Sequence, residues 1–112
     1  MIIEEKNVGP KIDYTVTGTK ITFRDDLTLD LAKYERDFPV KLDICENRDG
    51  ILYMGLSDYY VAQLAIPGRG YDYIADGVDE EGNPKEVPMP VPFDMSKVTL
   101  VLWTVDGGVA ND

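Results

Sequence analysis

Lys85-Glu86-Val87-Pro88-Met89-Pro90-Val91-Pro92-Phe93 is the stretch on which the fold turns. Val87, Met89, Val91 and Phe93 share one phase of a period-two pattern, and Pro88, Pro90 and Pro92 share the other. In a strand, residues two apart direct their N–H groups toward the same neighbour. The prolines therefore strip donors from one long edge and leave the other edge able to pair. The pattern predicts an outer edge strand with its apolar row facing the core. The donor-free side faces solvent, where it resists edge-to-edge association.

Period two dominates the rest of the chain, as it does in strands. Ile12, Tyr14 and Val16 alternate with polar residues, Gly18-Thr19 turns, and Ile21 and Phe23 continue the alternation, which reads as a hairpin. Leu27, Leu29 and Leu31 follow at spacing two, and a strand is expected to about Ala32 in preference to a short helix over 29–36. Phe38, Val40, Leu42 and Ile44 form the clearest alternating row, with Cys45 on the opposite face. The turn Asn47-Arg48-Asp49-Gly50 leads into a returning strand over 51–56, because Asp-Gly between apolar runs is a strong hairpin signal. Residues 59–66 are apolar on both phases, which predicts a strand covered on both sides. Tyr71-Asp72-Tyr73-Ile74 opens another strand, and residues 76–84 are an acidic loop tip. Residues 97–105, which include Trp103, are again apolar on both phases and are placed centrally, before a short acidic tail. The expectation is a single all-β domain over residues 1–112. It is an antiparallel β-sandwich or small barrel of about seven or eight strands, with at most one short helical turn.

Hydrophobic residues make up 44% of the 112 residues, enough for one packed core without metal or disulfide. Asp and Glu number 21 against 11 Lys and Arg, a net charge of −10. That charge opposes direct nucleic-acid binding, which uses basic residues to displace counterions, and it opposes docking on anionic lipid. Its simplest role is to keep the chain soluble and monomeric. The single Cys45 needs no oxidising compartment, and the N-terminus lacks the basic and apolar regions of a signal peptide, so a cytoplasmic location is expected.

The chain contains no His, which removes the commonest general base and any Ser-His or Cys-His pair. Asp43 and Glu46 flank Cys45 and would raise a thiol pKa, so Cys45 reads as a passive strand residue. The protein is therefore expected not to be an enzyme and to use no cofactor. Asp76, Asp79 and Glu81 lie in a Gly-containing acidic loop with oxygen ligands suited to Ca²⁺, but the spacing departs from an EF-hand loop. A solvated hairpin tip is the favoured reading of them, because such tips are commonly polar. Tyrosine is over-supplied, and Tyr53, Tyr59, Tyr71 and Tyr73, with Arg69 on the Pro67–Gly70 turn, form the candidate binding patch.

These features favour a non-enzymatic binding or structural module that acts through protein–protein contacts, as an accessory part of a larger bacterial or phage assembly. One alternative is an acidic mimic that occupies the nucleic-acid site of a basic partner. Another is a carbohydrate-binding domain or carboxylate-based hydrolase, which requires tyrosines and two carboxylates around a cleft.

Overall fold

The computed structural model describes residues 1–105, which form ten strands and two 3₁₀ turns. The strands are β1 (Ile2–Glu5), β2 (Tyr14–Thr17), β3 (Lys20–Phe23), β4 (Leu27–Asp30) and β5 (Val40–Glu46). They continue with β6 (Leu52–Met54), β7 (Tyr59–Ile66), β8 (Tyr71–Val78), β9 (Pro84–Pro90) and β10 (Thr99–Leu102). The all-β expectation holds, but the count and arrangement differ from it. Ten strands replace seven or eight, and they lie in three separate sheets of order β1-β10-β7-β5-β6, β2-β3-β4 and β8-β9. Two 3₁₀ turns, Leu31–Tyr34 and Met95–Lys97, stand against the expectation of at most one short helical turn. The tail expected beyond Val105 lies outside the described residues.

Local chemistry accounts for each departure. The β2–β3 hairpin forms as expected, closed by Gly18 at φ +61°, with Thr17 opposite Lys20. The following strand stops at Asp30 and not at Ala32. Its partner β3 begins at Lys20, so the pairing runs out there: the Thr19 hydroxyl donates to Asp30 Oδ1 at 2.7 Å, and the Thr19 carbonyl accepts a last rung from Leu31 N–H at 2.9 Å. Leu31 then drops fully into the core at the start of a 3₁₀ turn. Ile2–Glu5 adds a strand too short to announce itself by period, and it pairs with β10 in parallel, against the antiparallel expectation. β10 is consequently flanked on both sides, by β1 and β7, so this segment is central as expected. Trp103 itself lies one residue beyond the strand, half-buried and stacked on Tyr60 at a centroid distance of 5.0 Å.

The core draws on both the five-stranded and the three-stranded sheets. Ile21, Phe23, Leu29 and Leu31 of the smaller sheet and its turn join Ile44, Leu64, Ile66 and Leu100 of the larger one in one buried cluster. Leu64 stands in the middle of the larger sheet, opposite Leu42 on one side and Leu100 on the other. The opposite face of this sheet is only partly covered, since Gln63 and Ala65 are half-buried and Tyr60 is exposed, so β7 is not enclosed on both sides.

The β8–β9 hairpin stands apart from this core. Every residue of β8 is exposed, and in β9 only Val87 is half-buried. The apolar row expected to face the core, Val87 and Met89, instead lies on a projecting ribbon, and Met89 is 46% exposed. The molecule measures 72 × 22 × 21 Å with a radius of gyration of 19.2 Å, against about 13 Å for a compact chain of this length.

Core and hairpin should therefore respond oppositely to truncation. Leu64→Ala is expected to lower the unfolding free energy by about 3 kcal/mol. Tyr73→Ala should change it by less than about 0.5 kcal/mol. Urea unfolding followed by Trp103 fluorescence measures both.

Candidate functional site

Gly70 and Val91 open the hairpin as a hydrogen-bonded pair, with Val91 N–H donating to Gly70 C=O at 2.8 Å. Antiparallel ladders alternate between bonded and non-bonded pairs. Asp72 opposite Met89 and Ile74 opposite Val87 are thus the bonded pairs, while Tyr71 opposite Pro90 and Tyr73 opposite Pro88 are not. Each proline occupies a position that owes β8 no donor. Pro84, Pro88 and Pro90 line the outer edge of β9, and Glu86 is the single outward-facing N–H among them. The donor-free edge expected from the sequence is therefore present, and the opposite edge of β9 is paired to β8. The edge of β8 is open. The N–H and C=O groups of Tyr71, Tyr73 and Ala75 point away from β9, with no strand beside them among the described residues.

Both faces of the ribbon carry apolar surface. One face holds Tyr71, Tyr73, Pro88 and Pro90, with Tyr73 67% exposed. The other holds Ile74, Val87 and Met89 beside Asp72. Residues 71–90 carry six acidic side chains against Lys85 alone, so half of the net charge of −10 lies on this hairpin.

The base is held by polar contacts. Arg69 pairs with Glu35 at 3.4 Å and with Asp37 at 3.2 Å, and it also donates to the Glu35 carbonyl at 3.2 Å. The Tyr71 hydroxyl donates to the same Asp37 carboxylate at 2.5 Å. A Cβ on Gly68 would come within 3.2 Å of the Asp37 carbonyl oxygen and the Phe38 Cα, so only glycine lets the two backbones approach this closely. Pro67, Gly68, Phe93 and Lys97 line a cleft of about 180 Å³ beside the base. A second cleft, about 190 Å³, is lined by Asp13, Tyr14, Arg24 and Asp25. Both are below the roughly 300–1,000 Å³ of typical small-molecule pockets.

The candidate patch residues fall into two groups. Arg69, Tyr71 and Tyr73 lie together at the root of the arm. Tyr59 begins β7 opposite Glu46, while the arm follows the other end of that strand, so Tyr59 and Tyr53 are not joined to the first group. Tyr53 instead belongs to a row that crosses the outer face of the large sheet through Cys45 and Tyr60 to Trp103. A bulge creates this row: Ile44 pairs with Ala62 but Cys45 pairs with Tyr60, which leaves Val61 as the extra residue and turns Tyr60 to the face of Cys45. Cys45 is wholly buried there, and burial, reinforced by Asp43, pushes its thiol pKa up and away from nucleophilic use.

The loop carboxylates do not converge. Asp76 lies 3.7 Å from Lys85, and Asp79 is occupied by its own turn, accepting from the N–H groups of Glu81 and Asn83 at 2.9 Å. Among the described residues no three His, Cys, Asp or Glu side chains gather as a metal site, and no helix is long and apolar enough to cross a membrane. Comparison of the chain with protein-family models, with curated proteins and with solved structures returns no match.

The amide of Asn83 first, with those of Glu81 and Gly82, holds the Asp79 carboxyl below its ordinary value of 3.8. A depressed carboxylate pKa stabilises the turn at neutral pH, and the effect is lost as pH falls through the folded value. The Glu81 and Asn83 amide resonances are therefore expected to titrate together with a midpoint below 3.8. Asp79→Asn should abolish that titration, and NMR at a series of pH values checks both outcomes.

Proposed function

We propose that this chain is a non-enzymatic assembly module: a small β-core that presents the β8–β9 hairpin as a docking arm to a protein partner. The observation that carries the reading is an isolated two-stranded ribbon with apolar surface on both faces. Such a ribbon is marginal in water and gains independent stability only from further strands or a packed surface. A contiguous exposed apolar surface on a chain this acidic marks an interaction site more readily than a solubility feature. On this reading the five-stranded and three-stranded sheets are the two layers of a small sandwich whose role is to hold the arm. The cytoplasm is the setting in keeping with a lone thiol.

A second reading, an acidic decoy for the nucleic-acid site of a basic partner, is favoured by one fact. Half of the net negative charge is concentrated on the arm. The two readings separate by salt. Decoy binding weakens steeply as ionic strength rises, whereas apolar docking does not.

Replacing residues 72–89 with an Asn-Gly turn tests the arm directly. The shortened chain is expected to unfold at the same urea midpoint as the intact one, because no core residue is removed. It should lose any stoichiometric complex that the intact chain forms when both are purified from source cells under identical conditions. Retention of that complex without the arm, or loss of the core fold, would overturn the reading.

A further inference from the structure

The arm has one edge closed to hydrogen bonding and one edge open, and this asymmetry limits what can occupy it. We infer that the occupant of the open edge is β8 of a second copy of this chain, paired antiparallel about Tyr73 across a two-fold axis. The inference rests on the docking-arm reading and names its partner.

Register follows from chemistry. On the regular part of β8, before its bulge, Tyr71, Tyr73 and Ala75 direct donors and acceptors outward, so odd-numbered positions form the bonded pairs of a new ladder there. Pairing about Tyr73 joins Tyr73 to Tyr73 of the second copy, Tyr71 to Ala75, and Asp72 to Ile74. It uses all three of these positions, and no acid faces an acid. A slip one way sets Asp72 against its own counterpart, and a slip the other way sets it against Asp76. Like charges directly opposite one another destabilise a pair of strands, so both slips are disfavoured. The aromatic pair at the centre is of a favourable cross-strand type. It lies on the face that also carries Pro88 and Pro90.

The antiparallel arrangement also separates the strongest charges. Each acidic tip, Asp79 to Glu81, runs toward the base of the other copy and away from the other tip. At the base Arg36, Arg69 and Lys97 stand among Glu35, Asp37 and Asp94, so its charge is nearly balanced.

Two ribbons joined in this way make a sheet of order β9-β8-β8-β9. That takes the arm past the three strands needed for independent stability. The prolines then decide where growth stops. Both outer edges of the four-stranded sheet are β9 edges, which lack donors at three of four outward positions, so the assembly closes as a dimer and does not extend into a fibre.

Sedimentation velocity on the intact chain is expected to show a concentration-dependent dimer. It should tighten as NaCl is raised, because salt screens repulsion between two copies of net charge −10. Tyr73→Pro removes the central outward donor without removing a β8–β9 bond, and should weaken the dimer by at least about tenfold in Kd. Glu86→Pro completes the closed β9 edge and should leave the dimer unchanged. As a measurement independent of proline, Tyr73→Cys should form an intermolecular disulfide on mild oxidation, since bonded cross-strand pairs lie about 5.5 Å apart at Cα, within disulfide range. Glu86→Cys should not. A chain that stays monomeric up to roughly millimolar concentration would overturn the self-pairing. So would equal effects of the two prolines, or equal cross-linking at both cysteines. If the intact chain is monomeric but loses its stoichiometric complex when the arm is removed, the self-pairing fails while the docking reading stands. If the arm is dispensable for every complex, both fail.

Discussion

Phe23, Leu31, Leu64 and Leu100 are buried in one cluster that joins residues of two sheets, and the rest of the molecule is suspended from that layer of side chains. Each such side chain contributes about 1.5–3 kcal/mol on full burial. The net stability of a domain is only about 5–15 kcal/mol, so this layer decides whether the chain folds. Its geometry also decides what is left over. β7 runs through the centre of the larger sheet, and the chain leaves its end directly into the arm. The arm thus departs from the central strand of the larger sheet while adding nothing to the core that holds it.

That independence gives the arm its physical character. A ribbon of two strands satisfies its inner backbone groups but exposes both faces and both edges. Here one edge is closed by proline, and the base is fixed by Arg69 between Glu35 and Asp37 and by the close approach at Gly68. Direction is therefore set at the root, while the apolar faces and the open β8 edge stay available. Edge strands are usually hazards for aggregation, and proteins blunt them with proline, charge or cover. This hairpin blunts one edge with proline and its tip with carboxylates, and leaves a single edge able to pair.

Electrostatics complement this division. The arm carries half of the net charge, in far fewer residues than the rest of the chain. Acidic side chains surround the apolar stripes without interrupting them, since Ile74, Val87 and Met89 share a face on which Asp72 is a neighbour. The aromatic row from Tyr53 through Cys45 and Tyr60 to Trp103 is a separate feature, on the outer face of the large sheet. There Cys45 is a packing residue, fully covered and with its thiol shifted away from reactivity.

The strand class, the β2–β3 hairpin, the central position of β10 and the one-sided edge of β9 were legible in the residues. Each follows from a local rule: period two, turn chemistry, apolar residues on both phases, and the donor that proline lacks. The same residues were silent on three points. β1 is only four residues long and gains its place from a parallel partner nearly a hundred positions away. Tyr60 changes face because a bulge at Val61, settled by the pairing of two distant segments, breaks the alternation. The apolar row of β9 reads as core-facing because period two reports which residues share a face and says nothing of what lies opposite. By itself, then, the sequence determined that Val87 and Met89 stand together and that the proline edge must stay unpaired. Only the tertiary structure decided that they face outward on an arm, because the buried cluster is built from residues of other strands.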